Sequence, residues 1–163
     1  MSVVIREAEP SDVPVIADLI RGLARFEKLE DEVTMTDELL TKNLFGPRRY
    51  AETLIAEEGG SPVGFALFFH NFSTFLAKPG IYLEDLFVVP EQRGHGIGRA
   101  LLQRLAQIAV ERDCGRFEWR VLDWNEPSIR FYEGLGAKRM QQWLTMRVEG
   151  DEALRALAKA SAR

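Results

Sequence analysis

The stretch EQRGHGIGRALL, Glu91 to Leu102, sets three glycines at alternate positions between Arg93 and Arg99 and then runs into an apolar pattern. Glycine loses more conformational freedom on folding than any other residue, so Gly94, Gly96 and Gly98 in one short loop need a use. Without a Cβ, successive amides can bend around a pyrophosphate at close range. A helix opening there adds its free N–H groups and positive dipole end. Spacing excludes two other phosphate loops. The pattern G-x-x-x-x-G-K-[ST] needs a Lys-Ser or Lys-Thr pair that does not follow here. The dinucleotide pattern G-x-G-x-x-G spaces its third glycine differently and sits in the first strand–helix turn of its fold. A plain strand–helix connector does not account for alternating glycines flanked by arginines.

Ahead of the loop, IYLEDLFVV places Glu84 and Asp85 in an otherwise apolar run, where acidic residues need a partner. Adjacent residues on a strand face opposite sides, so only one of the two is expected to enter a site directly. After the first helix, FEKLEDE carries Glu27, Glu30, Asp31 and Glu32; as a charge run it reads as a solvated loop. His95 is expected to face solvent and His70 has no evident partner, so neither is assigned to catalysis. No spacing of His, Cys, Asp and Glu suggests a metal site.

The elements that must position these groups follow from periodicity. VVIREAE alternates like an opening strand, and Ser11 offers an N-cap for SDVPVIADLIRGLARF, with Val15, Leu19, Ile20, Leu23 and Phe26 on one helical face. A second short helix is expected after Thr36, with Asp37 and Glu38 in its first turn. AETLIAEE and VGFALFFHNF read as a hairpin about GGSP, and GIYLEDLFVVP as the next strand, ended by Pro90. A helix from about Gly98 to Asp113 has a stripe of Ile97, Leu101, Leu105 and Ile108. RFEWRVLD reads as a strand, Asn125 caps a helix with Pro127 in its first turn and Gly136 at C′, WLTMRVEG is a last strand, and DEALRALAKASAR a C-terminal helix.

The chain of 163 residues is long enough for one domain with a real core, and 46% hydrophobic with 28% charged residues is ordinary globular composition. A net charge of −4 argues against nucleic acid and suits cationic small molecules. No apolar run reaches membrane-span length and no signal-peptide pattern opens the sequence. The single cysteine, Cys114, excludes an intrachain disulfide, fits a reducing cytoplasm and reads as a packing residue.

QRGHGIGRALL resembles the motif with which the GNAT superfamily (Gcn5-related N-acetyltransferases) binds the pyrophosphate of acetyl-CoA. YLEDLFVVP and DWNEPSIRFYEGLGA look like that superfamily's neighbouring segments. More narrowly, LARFEKLEDEV, YLEDLFVVPEQRGHGIG and VLDWNEPSIRFYEGLGA are similar to the diamine acetyltransferases, the spermidine/spermine and thialysine enzymes, over nearly the whole chain and in order. The resemblance implies one α/β (α+β) domain over residues 1–163, with a mixed, mostly antiparallel central sheet flanked by helices. It implies acetyl transfer to a primary amine in a ternary complex, with no covalent enzyme intermediate and no metal.

Such a transfer needs a deprotonated amine, a donor for the carbonyl oxygen and a proton source near the departing thiolate. The resemblance assigns Tyr132 to the sulfur and Glu84 to the amine, through water. It places the main chain of Leu86, Phe87 and Val88 against the acetyl and pantetheine groups. The loop from Arg93 through His95, Ile97 and Gly98 to Arg99 falls on the pyrophosphate, and Asn125, Glu126, Pro127 and Ser128 lie near the coenzyme. For the acceptor it implicates Phe26, Glu27, Glu118, Trp119 and Arg120; Arg120 is awkward beside a polycation but could hold a substrate carboxylate bidentately. NFSTFLAKPG lacks an acidic residue of the polyamine enzymes, and KRMQQWLTM has glutamines where they have an acidic pair. Fewer anionic contacts favour a diamine or lysine-like amino acid, with thialysine-like substrates ahead of spermidine. A cytoplasmic homodimer is expected by resemblance. Two alternatives stand beside this reading: a GNAT enzyme acting on a protein N-terminus or an antibiotic, and a non-catalytic acetyl-CoA-binding module.

Overall fold

The computed structural model describes residues 2–160, so the last three residues of the expected C-terminal helix lie outside the described residues. They group into two compact units, one ending at Arg120 and one beginning at Val121. The first holds a five-stranded sheet of β1 (Val3–Glu7), β2 (Glu52–Glu58), β3 (Ser61–Ser73), β4 (Lys78–Val88) and β5 (Phe117–Trp119), hydrogen-bonded in chain order. The first four strands are antiparallel neighbours, whereas β5 runs parallel to β4 and is reached through the crossover helix α3 (Ile97–Glu111). The sheet is therefore mixed and mostly antiparallel, as expected.

Helices α1 (Val13–Glu27) and α2 (Asp37–Phe45) cover one face, where Ile16, Leu19, Leu44, Ile55, Phe65 and Phe87 form a buried cluster. The alternate residues of the strands, among them Leu54, Ala66 and Phe68, face α3, which buries Ile97, Leu101, Leu105 and Ile108. On α1 the fully buried stripe is Val13, Ile16, Ala17, Leu19 and Ala24, turned from the expected one. Val15, Ile20 and Leu23 flank it.

Ser11 does not cap α1. Pro10–Asp12 forms a short 3-10 turn, and the Asp12 carboxylate accepts the Glu9 N–H at 2.7 Å while receiving Arg6 at 2.8 and 2.9 Å. Asp12 is the residue that precedes α1, but its carboxylate, engaged by Arg6 and the Glu9 N–H, does not cap that helix. Arg6 holds the Asp12 carboxyl below the usual carboxylate range, and it also donates to Glu57 at 2.8 Å. Helix α2 begins after Thr36, as expected, and Thr36 caps it: its Oγ1 accepts from the Leu39 N–H at 3.2 Å.

In the second unit, α4 (Glu126–Gly134) is capped by Asn125, whose side chain accepts from the Ser128 N–H, and Gly136 takes φ +99° just past the end. Helix α5 (Asp151–Lys159) follows. The expected strand over WLTMRVEG is not formed; the segment enters through a turn in which the Trp143 N–H donates to Met140 O and then joins no ladder. Alternation marks a segment that could pair, but a strand exists only with a partner to complete its hydrogen bonds. Among the described residues no helix is long and apolar enough to cross a membrane.

Candidate functional site

The glycine loop joins β4 to α3. Gly94 and Gly96 adopt φ of +82° and +79°, the left-handed region that disfavours every residue with a Cβ. Gly96 is also the N-cap of α3, with no side chain capping the helix, and the first hydrogen bond of α3 runs from the Ala100 N–H to Gly96 O. The amides of Ile97, Gly98 and Arg99 therefore precede the intrahelical ladder and aim along the axis toward the loop. Gly98 differs from its neighbours: its φ is not left-handed, and the nearest atom to an added Cβ would be a Val88 methyl at 3.9 Å.

Two loop side chains have partners of their own, His95 while facing solvent as expected. His95 Nδ1 lies 3.1 Å from Gln92 Oε1. Arg93 donates from Nε to Val88 O at 3.0 Å and stacks its guanidinium over Phe26, 4.5 Å from the ring centre, and over Phe87 at 5.4 Å. Arg93 thus ties the loop to the end of α1. A groove of about 640 Å³ beside this stack is lined by Gly22, Arg25, Phe26, Phe87 and Arg93, a volume in the range of small-molecule sites.

β5 ends at Trp119, opposite Leu83, whereas β4 continues to Val88, so residues 84–88 have an unpaired edge on that side. Which peptide groups face this edge follows from one bond. The Val89 N–H donates to Val63 O, so in the alternating antiparallel pattern Phe87 and Val89 turn their peptide groups toward β3, and Leu86 and Val88 turn theirs to the edge that β5 leaves, where Val88 O accepts from Arg93 Nε. Of the three main-chain residues expected to meet the coenzyme, Phe87 is the exception. Its peptide groups belong to β3 and its ring to the core.

The carboxylates sit at a β-bulge. Phe68 pairs with Leu83 and Leu67 with Asp85, so Glu84 is an extra residue in β4. Counted forward from Leu83, which faces α3 with Phe68, Glu84 points to the α1 face. Counted back from Phe87, which packs in the α1 cluster beside Phe65, Asp85 points there too. The expectation that only one of the pair enters a site is overturned: the bulge puts both on one face.

There they meet Arg120, whose guanidinium lies 3.7 Å from Glu84 Oε1, and Glu27, the last residue of α1. Lys28, at φ +62°, ends that helix, with the Leu29 N–H donating to Ala24 O. Burial, then the neighbouring charges of Glu84 and Glu27, push the Asp85 carboxyl up to about 7, with Arg120 opposing. Burial also raises Glu27. Asp85 was not among the sequence-predicted site residues; its only sequence signal was its place beside Glu84.

The parallel register pairs Tyr82 with Glu118 and Leu83 with Trp119, so alternation divides the expected acceptor residues. Glu118 shares the α1 face, where Asn71 donates to it at 3.0 Å and Arg116 pairs with it at 2.9 Å. Trp119 takes the α3 face, its ring 4.9 Å from that of Phe117, and so is separated from the carboxylates. In the second unit, Tyr132 is half-buried on α4 with its ring 5.6 Å from Phe131, and Glu126 pairs with Arg139 at 3.5 Å.

The strand edge left by β5 and the left-handed glycines at the uncapped start of α3 thus adjoin the end of β4. The chain belongs to the acetyltransferase (GNAT) family, whose model matches residues 17–137, and is an N-acetyltransferase. It is similar to the thialysine N-epsilon-acetyltransferase of Sus scrofa, 39% identical over 168 aligned residues covering 96% of this chain and 98% of that protein. It is also similar to the L-ornithine N5-acetyltransferase of Arabidopsis thaliana, 33% identical over 95% of this chain and 87% of that one. Among solved structures it superposes on an integron cassette protein from the mobile metagenome of V. cholerae with a TM-score of 0.81, 28% identity and coverage of 98% and 99%.

Proposed function

We propose that this chain acetylates the side-chain amine of a lysine-like amino acid, taking the acetyl group from acetyl-CoA in a ternary complex. The observation that carries the reading is the cluster of Glu27, Glu84 and Asp85 around a single guanidinium, Arg120. Three carboxyl groups, one of them raised to about 7 by burial and its neighbours' charges, face one cation and leave a modest negative excess. A spermidine-like polycation calls for more. An amino acid with two ammonium groups and one carboxylate suits the excess and offers Arg120 a second carboxylate besides Glu84. The named activities of the thialysine and L-ornithine relatives agree with a substrate of this kind.

Acetyl-CoA supplies an acyl thioester. The amides of residues 94–99 would hold its pyrophosphate, and the open edge at Leu86 and Val88 its pantetheine arm; the left-handed glycines and the unpaired edge are features of this chain that fit the group. The proton acceptor for the amine lies in the Glu84–Asp85 pair. By resemblance, Tyr132 serves the departing sulfur, donating a hydrogen bond to a thiolate whose conjugate thiol is a stronger acid than the phenol. Asn125 caps α4, and only the resemblance assigns Asn125 to Ser128 to the coenzyme. Residues 1–163 work as one N-acetyltransferase domain, as a homodimer in the cytoplasm.

A matched pair of acceptors tests the assignment: lysine, and cadaverine, which differs only by lacking the carboxylate. Wild-type enzyme is expected to prefer lysine or thialysine. Arg120→Met should lower kcat/KM for the amino acids by about tenfold or more while leaving the diamine within threefold, roughly the value of one charge-assisted hydrogen-bond pair. Equal losses on both acceptors contradict the carboxylate role.

A further inference from the structure

The geometry points to Glu118 as the group that binds the α-ammonium of the acceptor, beside Arg120 for its carboxylate, with Asn71 as the residue that positions it. The inference rests on the amino-acid reading above and names what grips the end of the substrate that does not react. Glu118 and Arg120 are two residues apart, at and just past the end of β5, and both stand on the α1 face. Two residues of strand span about 7 Å, so two long side chains there can close on one carbon. An anion and a cation side by side suit the carbon that carries both an ammonium and a carboxylate. Glu118 lies opposite Tyr82, three residues before Asp85, which is about 10 Å of strand at most and room for the side chain of a lysine-like acceptor. The reactive amine then falls among the carboxyls of β4.

Two bonds fix the Glu118 carboxylate, and both fall on one oxygen. Arg116 Nε meets Oε1 at 2.9 Å and Asn71 Nδ2 donates to it at 3.0 Å, while Oε2 makes no bond among the described residues. The side chain is 39% exposed, so a ligand can reach it. Asn71 carries the sign that this arrangement serves something besides stability. Its Oδ1 is hidden from solvent with no hydrogen-bond partner among the described residues, and it occupies the space that a Cβ on Gly80 would need. A buried acceptor without a partner costs stability. Turning the amide over would set Oδ1 against the Glu118 carboxylate, two acceptors facing each other. The fold thus gives up stability for an Nδ2 that steers Glu118 from β3.

The test compares lysine with ε-aminocaproate, which keeps the carboxylate and the reactive amine but lacks the α-amine. Steady-state kcat/KM is measured for both acceptors at saturating acetyl-CoA in wild type, Glu118→Gln and Asn71→Leu, with Tm alongside. Wild type should prefer lysine by about tenfold or more, the value of one charge-assisted hydrogen bond. Glu118→Gln should lose that preference through the KM for lysine while leaving ε-aminocaproate within about threefold. Asn71→Leu should lose part of the preference in the same way, about threefold or more, with a Tm no lower than that of wild type because the partnerless acceptor is gone. Equal losses on the two acceptors in Glu118→Gln, or a preference for lysine that survives it, overturn the proposal. An Asn71→Leu enzyme with lowered Tm and intact preference overturns the positioning role. Should Glu118→Gln not fold, wild type decides: equal kcat/KM on the two acceptors overturns the α-ammonium site. Wild type inactive on every amine overturns the functional reading itself, an outcome distinct from these.

Discussion

At Gly98 the apo backbone asks for nothing that alanine lacks: φ is ordinary and there is room for a Cβ. Gly98→Ala should therefore fold with equal or greater stability, since alanine is favoured over glycine in a helix by about 1 kcal/mol. If the N-terminal turn of α3 receives a pyrophosphate, the same change should raise KM for acetyl-CoA by about tenfold or more through crowding alone, read by steady-state kinetics alongside a thermal melt. Gly96→Ala should differ by losing stability as well, because its φ of +79° is left-handed. Asp85 makes a second prediction at this scale. Its carboxyl titrates near 3.8 when unfolded and at about 7 in the fold, so the folded state binds the extra proton between those values. Stability from this group is complete below the lower value and is lost as pH rises through the upper one. Asp85→Asn should then gain Tm relative to wild type at alkaline pH, with the gain vanishing in acid. A constant offset across the range would contradict the assigned burial and charges.

The elements show why part of the site was legible and part was not. The glycine loop could be read directly because a left-handed nest is a local demand that glycine meets. Asn125 was legible as a cap for the same reason: the bond it makes spans three residues. The bulge at Glu84 left no such trace, because it is set by how β3 and β4 align over distance, and it decides which face Asp85 takes. Trp119 was misplaced by a simpler cause. Alternation divides Glu118 from Trp119 once the register with β4 is known, and that register is a tertiary fact. The packing of α1 on β4 carries its own prediction. An alanine Cβ at Gly22 would lie 2.8 Å from the Phe87 ring, which is held in the core by Phe65 and Leu19. Gly22→Ala should cost about 1 to 3 kcal/mol, measured by denaturant unfolding, and a neutral result would show that α1 can move away from the strand.

For the whole molecule, the fold follows from pattern and the reaction from family, but the acceptor depends on a few charges gathered from distant parts of the chain. Glu27 arrives on α1, Glu84 and Asp85 on β4 and Arg120 after β5, and no single segment shows the excess they make together. The net charge of −4 was consistent with a cationic substrate without locating it. The most direct test of the account is a two-substrate initial-rate study with acetyl-CoA and thialysine, with the product identified by mass spectrometry. The account predicts intersecting double-reciprocal lines, as direct attack in a ternary complex requires, and an acetyl group on the side-chain nitrogen. Parallel lines, which mark a covalent acetyl-enzyme, or acetyl transfer to neither thialysine nor lysine, would contradict it.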